Sequence, residues 1–154
     1  MTGARQGPFS SLADMERAHA QKLALCDMLE AIADNLPRTD RLQCLAVAGG
    51  LLPLLRGCHR FEEELVFPAF LRREDGSDIV ERLKLEHLED DSAAADLSEV
   101  LLAHGHGQPI ENPEAFGYML RALFESMRRH IAFEHDHVLP VVLGLREDDS
   151  RKDP

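Results

Sequence analysis

Apolar residues recur along this chain with the spacing of amphipathic helices, in four stretches separated by breakers. Leu12, Met15, His19, Leu23 and Cys26 share one face of the first stretch, which runs from about Ser10 to Leu36 and stops before Pro37. Ser10 or Ser11 can cap it. The second stretch runs from about Asp40 to Arg73, and Asp40 with Gln43 forms a capping-box pattern at its start. Its face carries Leu52, Leu55, His59, Glu63, Val66 and Phe70, and Gly49, Gly50 and Pro53 predict a kink within it. The third begins with Ser77 as N-cap, runs to about Ala103, and aligns Val80, Leu83, His87, Ala94 and Leu101. Asn112-Pro113 is an N-cap and N1 pair for the fourth, which aligns Leu123, Met127, His130, Glu134 and Val141 and runs to about Leu145. Short connections favour antiparallel neighbours, so the predicted fold is all-α, an up-down-up-down four-helix bundle over residues 10–146. The ends, 1–9 and 147–154, read as flexible tails.

One histidine lies on each stripe. His19, His59, His87 and His130 lie 16 to 19 residues from the same end of their helices. At about 1.5 Å per residue the four occupy a layer only about 5 Å deep. Carboxylates share the same stripes, and burying one without a partner is costly. Four imidazoles and two carboxylates in an apolar core would leave polar groups unsatisfied unless a metal takes them. Nitrogen and oxygen donors suit iron, manganese or zinc rather than Cu(I). Several histidines with two carboxylates favour two ions over one, since a single zinc needs only four ligands.

Composition narrows the partners. With 17 Lys and Arg against 28 Asp and Glu, the net charge of -11 argues against a nucleic-acid surface and disfavours an anionic membrane. The longest apolar stretch, Cys44 to Leu55, is too short to span a bilayer and reads as buried helix. Three cysteines, Cys26, Cys44 and Cys58, lack CxxC spacing and read as buried thiols of a reducing cytoplasm.

The stretches Met15-Glu-Arg-Ala-His19, His59-Arg-Phe-Glu-Glu-Glu-Leu-Val-Phe-Pro68, Leu85-Glu-His87 and His130-Ile-Ala-Phe-Glu134, with Leu139-Pro140, resemble the hemerythrin-like, or HHE cation-binding, family. The resemblance covers about residues 12–143. It implies a four-helix bundle around a non-haem di-iron centre. It makes His19, His59, His87 and His130 terminal ligands and has Glu63 and Glu134 bridge the irons. Two departures follow. The fourth-stretch histidine precedes its proline by ten residues and the second-stretch histidine by nine, so aligning the prolines makes Glu62 the counterpart of Glu134. The i,i+4 spacing from His59 favours Glu63, and a local bulge near Pro68 would reconcile the two. In addition, oxygen-carrying hemerythrins use a second histidine on the third helix, and here neither Leu83 nor Asp91, each one turn from His87, is histidine. Asp91 is a further candidate ligand, or part of a solvated acidic face with Glu89 and Asp90.

His137, seven residues after His130, is a candidate supporting residue or a polar end to the core. His135 reads as surface, His104 and His106 as loop residues, and Tyr118 as packing. The expected function is a di-iron protein that binds or senses O2 or a related small ligand. The alternatives are a di-iron enzyme acting on peroxide or nitric oxide, and an iron-sensing or iron-storage protein.

Overall fold

The computed structural model describes residues 12–144. Four helices make up a bundle, and no strand occurs among the described residues. The first helix is Leu12–Asn35. The second is Arg41–Phe61, which continues through a π-helical turn, Glu62–Val66, into Phe67–Leu71. The third is Ser77–Gly105. The fourth is Pro113–Phe133, followed by a second π turn, Glu134–Val138, and a last segment, Leu139–Val142. The expected tails, and Ser10 and Ser11 as caps, lie outside the described residues.

The starts follow the chemistry of their caps. Asp40 Oδ1 accepts from the backbone N–H of Leu42 at 2.9 Å and of Gln43 at 3.3 Å. Asn112 Oδ1 accepts from Ala115 N–H at 3.0 Å, with Pro113 in the first turn, where its missing N–H costs nothing. The third helix differs from expectation: Ser77 is its first residue, and Gly76 holds the cap position without a side-chain bond. A side chain at Gly76 would collide with Phe70, since a Cβ there would lie 2.4 Å from the ring. The second helix stays α-helical through Pro53 and departs from α geometry later, at Glu62.

Side-chain pairs fix the antiparallel order. Asp34 meets Arg121, while Glu30 and Asp27 meet Arg128, so the first and fourth helices run in opposite senses. Asp90 with Ser126 and Glu86 with His130 do the same for the third and fourth. His59 with Asp91 and Glu62 with His87 do so for the second and third. The exposed pairs among these, Asp34 with Arg121 and Asp27 and Glu30 with Arg128, set register more than stability.

Two apolar clusters fill the interior. The larger, around Leu29, Leu51, Leu55, Leu97, Leu120 and Met127, occupies the half nearest the Pro37 and Gly107 loops. The smaller, around Phe61, Val66, Phe67, Phe70, Leu83 and Val138, closes the other half. Each fully buried Leu or Phe contributes roughly 1.5–3 kcal/mol. The polar layer lies between them. The second helix, Arg41–Leu71, is long and apolar enough to cross a membrane by length and composition alone. Its Cys44, Val47, Leu51 and Leu55 are buried inside the bundle, which is how a core helix satisfies the same test.

Candidate metal centre

Both carboxylates of the buried layer stand at the start of a π turn. In the second helix, Phe67 N–H donates to Glu62 C=O, five residues back. In the fourth, Leu139 N–H donates to Glu134 C=O, also five back. The local cause is the proline that follows each turn. Pro68 and Pro140 have no N–H, and their rings collide with the carbonyl four residues earlier. A wider turn relieves the collision by inserting one residue. The sequence pattern is the same in both: Glu, three residues, Val, an apolar residue, Pro.

That insertion corrects the expectation for Glu63. Counting back at α spacing from Val66 and Phe70 puts Glu63 on the inner face. Counting forward from Cys44, Val47, Leu51 and Leu55, all buried, puts Cys58 and Glu62 there. The π turn lies between the two counts, and the forward count holds. Glu62 is buried. The Glu63 side chain is 38% exposed and touches the outer side of His87, with Oε2 3.4 Å from Nδ1.

Glu62, His87, His130 and Glu134 converge so closely that one donor atom from each lies within 4.8 Å of the others. His87 Nε2 lies 2.6 Å from Glu62 Oε2 and 3.2 Å from His130 Nε2. His130 Nε2 lies 2.5 Å from Glu134 Oε1. His19 joins from the first helix, with Nε2 3.2 Å from Glu134 Oε2 and 3.5 Å from Glu62 Oε1. His59 is buried but turned aside. Its ring stacks on His87 at 3.9 Å, and its Nδ1 faces Asp91 at 2.9 Å. Phe67 lies nearly parallel to His87 at 5.5 Å.

Outside the cluster, carboxylates back the rings. His130 Nδ1 is 2.9 Å from Glu86, His87 Nδ1 meets Glu63, and His59 Nδ1 meets Asp91. On His130 the contact is a hydrogen bond, which fixes the ring and its tautomer and leaves Nε2 free to bind a metal; on His87 and His59 it is an ion-pair contact without hydrogen-bond geometry. Inside, His59 Nε2 is buried without a partner, and His19 Nε2, Glu62 Oε1 and Glu134 Oε2 are buried with only one another as ion-pair partners, outside hydrogen-bond geometry. Buried polar atoms are seldom left so. Imidazole nitrogens and carboxylate oxygens converging in one layer are the donor set a divalent cation takes, so the residues fit a metal.

Electrostatics agree. Burial alone would lower the His19 pKa, but Glu134 and Glu62 outweigh it and raise it to about 9. The same two carboxylates raise His130 to about 10 against the pull of burial. Burial pushes Glu62 upward, but Lys22 and the three histidines hold it well below the usual carboxylate range. His59 falls to about 2, through burial first and then His87 and Lys22.

Three residues escaped the sequence reading. Lys22 is buried to 1% exposure, and Leu23, expected inside, is 39% exposed. The first stripe therefore runs Met15, His19, Lys22, Cys26, Leu29. Asp90, rather than Asp91, is the buried acid of the third helix, and it accepts a hydrogen bond from Ser126 at 2.8 Å. Glu86 is the third. Spacing could have found Lys22 and Asp90, each three residues from a site histidine; only the habit of placing charges outside hid them.

His137 is exposed beside Phe133, outside the cluster. His104 binds Thr39 and the Gln108 carbonyl, tying two loops together. His106, His135 and Tyr118 are exposed. All three cysteines are free and buried.

The family of the hemerythrin HHE cation binding domain matches residues 10–142, and the chain belongs to it. No match was found among curated proteins or among solved structures.

Proposed function

We propose that this is a non-haem iron protein in which His19, Glu62, His87, His130 and Glu134 hold the metal and a small ligand, O2 first, binds beside it. The observation that carries this reading is the buried layer of converging nitrogen and oxygen donors drawn from all four helices. Iron bound there supplies a redox-active Lewis acid with a position for a diatomic ligand. The protein supplies the rest. Glu86 and Glu63 hold His130 and His87 with Nε2 inward. Phe67, Phe70 and Leu83 keep the smaller core dry beside the layer. A cleft of about 260 Å³ between the third and fourth helices, lined by Arg82, Glu86, Ser126, His130 and Phe133, gives a small molecule access. Three unpaired thiols support placing the protein in a reducing cytoplasm.

Metal analysis of anaerobically purified protein, with its visible spectrum before and after O2, tests the reading. Iron with a new absorption band on exposure to O2 is the expected result. Iron-loaded, reduced protein that stays colourless in O2 would sink the O2 reading. Oxygen release from added peroxide would instead favour an enzyme.

A further inference from the structure

The two prolines that shape the π turns also give the second and fourth helices a common register. Glu62 and Glu134 each precede their proline by six residues. Four residues before Glu134 stands His130, whose Nε2 is in the cluster. Four residues before Glu62 stands Cys58, buried on the inner stripe. His59 is one residue further round the helix, which explains why its ring lies against His87 and Asp91 and is absent from the tight group. The second helix therefore lacks an imidazole where the fourth has one.

A cation is already present in the same interior. Lys22 is three residues from His19 and 1% exposed. The charged and titratable groups acting on it come from all three other helices: Glu62 and Cys58, Asp90, and Glu134. The carboxylates outweigh the burial that would strip its proton. Lys22 thus already sets a positive charge against the Glu62 and Glu134 carboxylates that a second ion would need, and like charges repel strongly in a low-dielectric interior.

Resting on the metal-centre reading, we infer that the chain holds one metal ion, with the buried Lys22 supplying the positive charge a second ion would bring and Cys58 standing in the second helix where the fourth has His130. The expectation of two ions rests on several histidines with two carboxylates, a count that takes in His59 and leaves out Lys22.

The test is the stoichiometry of metal uptake, with no turnover involved. Metal-free protein is titrated anaerobically with Fe(II) and, separately, with Co(II), and the bound metal is measured after desalting. The wild type is expected to retain one ion per chain. Lys22→Met with Cys58→His is expected to retain two. Two ions in the wild type would overturn the inference and leave the metal centre standing; no ion at all would overturn the metal centre itself. A double variant that is folded by circular dichroism yet holds one ion would count against the roles of Lys22 and Cys58. Lys22→Met alone guards against a double variant that fails to fold. It removes a like charge, so its single ion should bind at least tenfold more tightly, and unchanged or weaker affinity would also overturn the inference.

Discussion

The two π turns use one backbone device and deliver different chemistry. Glu134–Val138 follows a regular helix whose inner stripe includes His130, so the histidine and the glutamate one turn later face the same point. Glu62–Val66 follows a helix whose stripe carries Cys58 there, and His59 leans onto the neighbouring ring. The difference teaches that the turn positions the carboxylate, while the helix before it decides whether an imidazole accompanies it. The fourth helix gives a complete ligand pair, and the second gives a carboxylate.

The sharpest way to break that comparison is to remove its carboxylates one at a time. Glu134→Ala and Glu62→Ala should each weaken metal binding by more than about 100-fold, whereas Glu63→Ala, acting only through His87, should weaken it about tenfold. Isothermal titration with Fe(II) or Co(II) reads all three. Equal losses for Glu62→Ala and Glu63→Ala would undo the register drawn from the π turn.

Metal removal comes next. An ion that binds only the folded chain, present at about a hundredfold excess over its Kd, stabilises it by about 2.7 kcal/mol. For a domain of this size that is about 5–10 °C in Tm. Calorimetry with and without a chelator checks it, and an unchanged Tm would contradict a metal bound in the core.

The metal-free protein should show a stability maximum in pH. His19 and His130 have folded values raised to about 9 and about 10. Their contribution is complete below the unfolded histidine value of about 6.5 and is lost as pH rises through 9 to 10. His59 has the opposite sign. Its folded value is lowered to about 2, so its contribution is present above about 6.5 and is lost as pH falls below that. Tm of the metal-free protein should peak near neutrality and decline on both sides, and a bound ion should flatten the alkaline side. A monotonic profile would contradict the buried pairing. The smallest effect is expected at His137, exposed beyond the second π turn: His137→Ala should change stability by less than about 0.5 kcal/mol and leave metal content unchanged.

Four helices, their antiparallel order and the layer of histidines were legible in the sequence, because apolar spacing, Asp40, Asn112 and Pro113 report directly on helix faces and starts. Glu134 was legible for the same reason. Glu62 was legible only as the alternative to Glu63, since α spacing breaks at Glu62–Val66 and its one signal was the proline alignment with Glu134. Lys22 and Asp90 were legible in spacing, each three residues from a site histidine, but binary patterning assigns charges to water. Their burial depends on one another and on carboxylates from other helices, which only the assembled bundle brings near.

The carboxylates on the outer nitrogens have a consequence for traffic. Glu86, Asp91 and Glu63 are each partly open to solvent, with side-chain exposures of 29%, 25% and 38%. His130 and His87 therefore bridge two environments, with one nitrogen in the dry layer and the other on a wetted acid. An incoming cation must displace hydrogen ions from the imidazoles it binds. Because the outer acids steady the rings from the solvent side, the inner nitrogens can lose and regain hydrogen ions while the rings keep their orientation.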